Sequence, residues 1–139
     1  MINVSFPGLG EQRNLKNWRN GSIYVTIIIM KIKIEQFITT EGINPFENWF
    51  NKLNAIAAAK VTTALYRMEM GNFSNVKSVG GGVFEFKIDF GPGYRIYFGQ
   101  DGDELVILVG GSTKSQQDKA IKQAKLHWQA YKQLKKRGN

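Results

Sequence analysis

GVFEFKIDFGPGYRIYF, residues 82–98, reads as two β-strands joined by a tight turn. Apolar and polar side chains alternate on both sides of the turn, which is the two-residue period of a half-buried strand. The turn is Gly-Pro-Gly, a combination typical of chain reversals. Glu85, Lys87 and Asp89 therefore share one face of the first strand. Arg95 and Tyr97 share one face of the second. We expect a rigid, charged sheet surface here, suited to holding a phosphate group.

The composition limits the chemistry that this chain can perform. Its 139 residues suffice for one domain with a hydrophobic core of its own. It has no cysteine, so disulfides, thiol nucleophiles and cysteine metal sites are excluded. His127 is the single histidine, which excludes a catalytic histidine pair and argues against a histidine zinc site. We therefore expect neither a metal nor a small-molecule cofactor.

The net charge is strongly positive. The chain has 19 Lys and Arg residues against 11 Asp and Glu, a net charge of +8. Such a balance in a small domain favours polyanionic partners, nucleic acid above all. From Lys114 onward there are eight basic residues and one acidic residue, Asp118. A solvated helix face with a basic tail would give the same pattern, so the charge alone leaves both interpretations open.

The N-terminal region differs from the rest of the chain. Residues 1–21 are rich in Gly and Asn and show no periodicity, so we expect an irregular arm. Residues 23–30 are apolar but much shorter than the roughly 18 residues of a membrane-spanning helix, and no cleavage site for a signal peptide follows them. Because Met30 would be a natural start, we interpret residues 1–29 as an upstream extension of a domain covering 30–139. We expect a cytoplasmic protein that does not contact membranes.

The hydrophobic pattern predicts two helices after a first strand. Residues 30–37 alternate as an amphipathic strand does. Asn44 is suited to cap a helix and Pro45 to begin it. A second helix is predicted over residues 56–70, and the two form a helical hairpin against the sheet.

The C-terminal part reads as a central strand and a basic helix. Residues 104–109 are almost continuously apolar, which favours a strand in the middle of a sheet. We expect the glycines that follow to end this strand, and Ser115 to cap a helix that runs to about Lys135. The buried stripe of this helix is predicted to comprise Ile121, Ala124, Trp128, Tyr131 and Leu134. The order of elements predicts an α+β fold with a mainly antiparallel sheet.

Several of these motifs resemble one known family. They are similar to the RelE/ParE superfamily of toxins, and within it to the HigB-like branch of addiction module killer proteins. The similarity covers about residues 30–134 in the same order along the chain. The matching segments are residues 71–73, 79–80, 82–85, 88–97 and 110–115. The resemblance implies a RelE-like fold and the toxin of a type II toxin–antitoxin pair.

The resemblance also implies an activity and partners. The best-known members of this family cut mRNA in the ribosomal A site, and the usual antitoxin of this branch is a helix-turn-helix protein encoded beside the toxin. We therefore expect an endoribonuclease that inhibits translation, with the antitoxin, the ribosome and mRNA as partners. Two alternatives remain open: a ParE-like poison of DNA gyrase, and an inactive homologue that only binds antitoxin or nucleic acid.

The residues of the hairpin fit RNA cleavage. Without a histidine pair or a metal cluster, cleavage of a phosphodiester must use other groups. One route is attack by the RNA's own 2′-hydroxyl, with cations that stabilise the charge on the phosphate. Arg95 is the candidate for the principal clamp, because its planar fork matches phosphate oxygens, and Lys87 is a second cation. Tyr97 is a candidate for orienting the nucleophile, transferring a proton or stacking on a base. Arg67 and Lys114 are candidates for binding the substrate.

Overall fold

The computed structural model describes residues 12–16, 24–28, 32–103 and 105–138. The strands are β1 (Gln12–Lys16), β2 (Tyr24–Ile28), β3 (Lys33–Gln36), β4 (Val76–Gly80), β5 (Val83–Ile88), β6 (Tyr94–Asp101) and β7 (Leu105–Thr113). The helices are α1 (Pro45–Phe50), α2 (Ala55–Glu69) and α3 (Gln117–Arg137), and a 3₁₀ turn, Lys114–Gln116, precedes α3.

The strands form two sheets. Five of them make a mixed sheet in the order β3-β7-β6-β5-β4, in which β3 and β7 are parallel and the other pairs antiparallel. The predicted α+β class, with a mainly antiparallel sheet and a C-terminal helix, is therefore confirmed. β1 and β2 pair in a separate two-stranded sheet.

The expectation of an irregular N-terminal arm is wrong for residues 12–16. These residues form β1, whose backbone pairs with the apolar strand β2. Their own sequence shows no strand periodicity that could have predicted this pairing. The other residues of the arm, and Met30, lie outside the described residues.

The helices α1 and α2 cover one face of the five-stranded sheet. Pro45 is the first residue of α1, and Asn44 caps it, since the Asn44 Oδ1 atom accepts a hydrogen bond from the Glu47 N–H at 3.0 Å. Both features are as predicted. The core on this face includes Val61, Leu65 and Met68 of α2.

The helix α3 covers the opposite face, and its apolar stripe is as predicted. Ala124 and Trp128 are buried in a second cluster with Tyr97 and Val83 of the sheet. The remaining stripe residues pack against this cluster; they are Ile121, Tyr131 and Leu134. The sheet therefore lies between two helical layers.

Two expectations about the connection into α3 are wrong. β7 does not end at Gly110 and Gly111, because their backbone pairs with β6 and the strand continues to Thr113. Ser115 does not cap α3, because it lies in the 3₁₀ turn, where its hydroxyl is 3.2 Å from that of Thr113. The chain thus enters α3 one residue later than the pattern indicated.

Two glycines allow tryptophans to lie directly on the sheet. A Cβ atom at Gly111 would lie 2.1 Å from Cε3 of Trp49, and one at Gly99 would lie 2.3 Å from Cε3 of Trp128. Trp49 belongs to α1 and Trp128 to α3, so each helical layer approaches the sheet at a position that only glycine can occupy.

Asp101 ties the C-terminal half of α3 to the end of β6. The Tyr131 hydroxyl donates a hydrogen bond of 2.6 Å to its Oδ2 atom, and the Lys135 ammonium donates another of 2.5 Å. Both interactions lower the pKa of Asp101, the hydrogen bond from Lys135 being the larger cause. The carboxylate therefore favours the packed position of α3 as long as it is ionised.

Gly111→Ala is expected to lower the free energy of unfolding by about 1–3 kcal/mol, because the added methyl group would overlap the Trp49 ring. Gly110→Ala is the matched control on the same strand, since a Cβ there would meet no atom within 4 Å. The control is expected to change stability by no more than about 0.5 kcal/mol. Urea unfolding measures both variants, and equal losses would contradict the close approach of Trp49.

Asp101→Asn is expected to lower the melting temperature at pH 7, and this difference from the wild type is expected to shrink in acid. The pKa of Asp101 is lowered on folding from the ordinary value of 3.8. Its stabilisation is therefore complete above the unfolded pKa and is lost as the pH falls through the folded one. Asp103→Asn, at an exposed acid of the same turn, is the control. A melting-temperature difference for Asp101→Asn that stays constant down to about pH 2 would contradict this role.

Candidate functional site

The β5–β6 hairpin places a row of polar residues on one face of the sheet. Glu85 lies opposite Tyr97, and Lys87 lies opposite Arg95. Directly opposed residues point to the same side of a sheet, and Ser112 of β7 extends the row beyond Arg95. The shared face that the alternation predicts is therefore confirmed.

Most of this face is covered, not open to solvent. Glu85 and Tyr97 are fully buried, and Arg95 is 5 % exposed. Lys87, in contrast, is 50 % exposed. The expectation of an open charged surface is thus wrong for Arg95 and Tyr97. The alternation of side chains identifies the face of the sheet, but it does not reveal that α3 packs over it.

Glu85 is the centre of a buried polar cluster. Its Oε2 atom accepts a hydrogen bond of 2.7 Å from the side chain of Gln117, the first residue of α3. Its Oε1 atom lies 3.6 Å from Nε of Arg95 and 3.8 Å from Nζ of Lys77, which are ion-pair distances. The Arg95 guanidinium also donates to the carbonyl of Gly93 at 3.4 Å. Glu85 therefore holds Arg95 in a fixed position beneath the beginning of α3.

Tyr97 occupies a closed position beside this cluster. Its hydroxyl lies 2.9 Å from that of Ser112, within hydrogen-bond distance. Burial is the largest cause that raises the pKa of Tyr97 to about 12. The phenol is therefore neutral at physiological pH and has no path to a bound ligand in this conformation.

A cleft of about 320 Å³, which we call the turn cleft, opens beside the Gly-Pro-Gly turn. It is lined by the turn residues 91–93 and by cations from three different elements. These are Lys87 of β5, Arg95 of β6 and Lys114 of the 3₁₀ turn. The structure therefore brings together three of the five site residues that the sequence predicts, whereas Tyr97 does not line this cleft.

A second cleft of about 280 Å³, which we call the helix cleft, lies between α2 and β5. Lys60 and Arg67 line it from α2; they are seven residues apart, about two helical turns, and so share one side of the helix. Lys87 lines both clefts. This shared residue places Arg67, the fourth predicted site residue, next to the turn cleft.

Sequence reasoning missed three residues of these clefts. Phe90 and Asp89 line both of them, and Lys60 lines the helix cleft. Phe90 is 38 % exposed, and Nζ of Lys60 lies 4.9 Å from the centroid of its ring. The Asp89 carboxylate is 84 % exposed and lies 3.3 Å from Nζ of Lys87. The spacing of seven residues from Arg67 is the signal that could have identified Lys60.

Both clefts are lined mainly by positively charged groups among their ionisable side chains. In the part of the chain that the structure describes, no group of three or more His, Asp or Glu side chains could hold a metal ion. The same residues include no helix that is long and apolar enough to cross a membrane. What the clefts offer a ligand is a set of ammonium and guanidinium groups at the end of a rigid sheet, which suits anionic oxygens.

The chain is similar to a protein of Haemophilus influenzae strain Rd that is described as uncharacterized. The two are 46 % identical over 98 residues, which is 70 % of this chain and 93 % of the Haemophilus protein. No protein-family model matches the chain.

Glu85→Gln is expected to lower the free energy of unfolding by about 3–5 kcal/mol, because it leaves the buried guanidinium of Arg95 without its counter-charge. Glu35→Gln is the control, since Glu35 forms an exposed ion pair of 3.3 Å with Lys33. That control is expected to cost at most about 1 kcal/mol. Denaturant unfolding measures both, and a loss for Glu85→Gln as small as that of the control would show that Arg95 does not depend on Glu85.

Proposed function

The chain belongs to the same family as the uncharacterized Haemophilus influenzae protein, and we propose that it is the toxin of a type II toxin–antitoxin system. In this proposal it is an endoribonuclease that cuts mRNA on the ribosome. The turn cleft is the observation that carries the proposal, because Lys87, Arg95 and Lys114 converge there from three elements. The resemblance of the hairpin sequence to HigB-like members of the RelE/ParE superfamily supplies the RelE-like fold and the substrate class.

The proposed reaction uses the RNA's own nucleophile. The 2′-hydroxyl attacks the adjacent phosphorus, and the bond from phosphorus to the 5′-oxygen of the next nucleotide breaks. The 2′-oxygen loses a proton and the departing 5′-oxygen gains one, so the products are a 2′,3′-cyclic phosphate and a 5′-hydroxyl. Negative charge builds on the phosphate oxygens in the transition state, and cations aimed at these oxygens lower the barrier.

The three cations of the turn cleft have different roles in this reaction. Arg95 lies at the buried base of the cleft and is held by Glu85 before any ligand binds. Charge that is already in position costs no reorganisation during the reaction. Lys87 and Lys114 are exposed and adjust to the incoming phosphate. Asp89 also lines the cleft, and the proposal assigns its carboxylate to accept the proton of the 2′-hydroxyl.

Tyr97 has a supporting role in the proposal, different from the one that the sequence suggested. Its hydroxyl pairs with that of Ser112 and so joins β6 to β7 next to Arg95. Because the pKa of Tyr97 is raised to about 12, the phenol is a poor proton donor near neutral pH. Tyr97 thus stabilises the strand that carries the arginine.

The proposal includes partners and a location. A helix-turn-helix antitoxin would bind the toxin and suppress its activity, as the resemblance implies. The ribosome and mRNA place the activity in the cytoplasm. The net charge of +8 supports a polyanionic target, because it attracts RNA over distances comparable to the Debye length.

Lys87→Ala is expected to lower mRNA cleavage by about 10²-fold or more, because it removes one cation from the transition state. The protein is expressed from a tightly repressed promoter, and the 5′ ends of cellular mRNA are mapped. The wild type is expected to produce new cuts in phase with codons. Lys87 is a better test residue than Arg95, whose replacement would remove the nearer of the two cations that pair with the buried Glu85 and so would destabilise the fold as well. Lys122→Ala, at an exposed lysine of α3 that lines neither cleft, is the control.

The same experiment separates the alternatives. Growth arrest with intact mRNA and broken DNA would contradict the nuclease and favour a gyrase poison. Neither arrest nor cuts from the wild type would favour an inactive homologue.

Tyr97→Phe is expected to lower the melting temperature but to leave the cuts in place. Loss of the cuts in folded Tyr97→Phe protein would restore a catalytic role for the hydroxyl.

A further inference from the structure

We propose that the helix cleft is a second RNA-binding site, a subsite for one nucleotide next to the phosphate in the turn cleft. In this subsite Phe90 stacks on the base, and Lys60 and Arg67 bind the phosphate groups beside it. The subsite rests on the proposed function, because it extends the path of the same single-stranded substrate.

The two clefts form a continuous path. Lys87, Asp89 and Phe90 line both of them, so an RNA strand that occupies the turn cleft passes directly into the helix cleft. The helix cleft, at about 280 Å³, is close to the lower limit of roughly 300 Å³ for small-molecule sites. Its size therefore suits a single nucleotide rather than a larger ligand.

Phe90 has the properties of a stacking surface. The residue follows β5 at the start of the turn, it is 38 % exposed, and it lies outside the hydrophobic clusters that pack on the two faces of the described sheet. Exposed aromatic rings bind single-stranded nucleic acid by stacking on bases of any sequence. Lys60 lies over the ring at 4.9 Å from its centroid, a cation–π contact that is weak at an exposed site. A base can therefore displace Lys60 at little cost.

The charges of the helix cleft suit an RNA backbone. Lys60 and Arg67 approach from α2, and Lys87 approaches from the opposite wall on β5. Asp89 is the acidic group among the lining residues, and it already pairs with Lys87. Asn75 adds an amide able to bond the sugar or a base edge. The Thr63 hydroxyl donates to the Ala59 carbonyl at 3.0 Å, so it offers an acceptor. Surface lysines alone would define no site, but here they flank an exposed ring and adjoin the cleft of the proposed reaction.

The test uses a labelled single-stranded RNA of about six nucleotides, a length within the range of single-strand sites. Its 2′-hydroxyls are methylated, which removes the nucleophile, so that fluorescence anisotropy measures binding without cleavage. A second set of oligonucleotides carries an abasic residue at each position in turn. The wild type is expected to lose about 5- to 150-fold in affinity when one particular base is missing.

Phe90→Ala is expected to bind the intact RNA with an affinity reduced by a similar factor. Its affinity is expected to fall no further when that base is missing. Lys60→Ala and Arg67→Ala are each expected to reduce the slope of log affinity against log salt concentration by about 0.7. Leu126→Ala and Lys122→Ala, at exposed positions of α3, are the matched controls for a lost apolar and a lost cationic side chain. Thermal melting checks that each variant is folded.

The outcomes distinguish this subsite from the proposed function. The subsite would be overturned if Phe90→Ala and Leu126→Ala both bound RNA as tightly as the wild type. The nuclease would still be supported if the codon-phased cuts were lost in Lys87→Ala. An abasic penalty that persists in Phe90→Ala would overturn the stacking on Phe90. An abasic penalty that is present in the wild type and absent in Phe90→Ala would support the subsite. If cellular mRNA stayed intact at the same time, the nuclease would be overturned. A wild type that binds none of these RNAs would overturn the subsite whatever the fate of cellular mRNA.

Discussion

The buried carboxylate of Glu85 is the constraint on which the site depends. A carboxylate without solvent contact is costly unless hydrogen bonds and a counter-charge compensate it, and here Gln117 and Arg95 provide both. One residue thus joins the sheet, the first turn of α3 and the arginine of the turn cleft. The ion pair with Arg95 and the hydrogen bond from Gln117 thus meet at one buried carboxylate. The packing of α3 and the position of Arg95 are therefore linked through one carboxylate.

This coupling divides the cations of the two clefts into two groups. Arg95 is buried and paired, so its position is fixed, but its charge is partly offset by Glu85. Lys87, Lys114 and Arg67 are exposed, so they attract a polyanion from solution and adapt to it. A fixed cation contributes to a transition state because it need not reorganise, whereas exposed ones contribute to association. The proposed nuclease uses both properties within one continuous path.

The fold could be predicted where the signals are local, and it could not where they depend on distant packing. The alternation around the Gly-Pro-Gly turn fixes the register that sets Lys87 opposite Arg95. No local signal shows that α3 covers Tyr97, because this cover depends on Trp128 lying against Gly99, which is distant in sequence. The prediction that Gly111 ends β7 was wrong for the same reason. Gly111 continues the strand, and its missing side chain leaves room for Trp49, a residue distant in sequence.

The position of Lys87 on the boundary of the two clefts decides how the site can work. Its ion pair with Asp89 is exposed, so exchanging the carboxylate for a phosphate costs little. A comparable exchange at Arg95 would leave the buried Glu85 with Lys77, at 3.8 Å, as its remaining counter-charge, which is costly. In the proposed nuclease, phosphate therefore approaches Arg95 without displacing Glu85, and Lys87 is the cation that moves to complete the contact. Lys87 lacks the planar guanidinium of an arginine, but its flexible side chain would allow it to follow the proposed RNA strand from one cleft into the other.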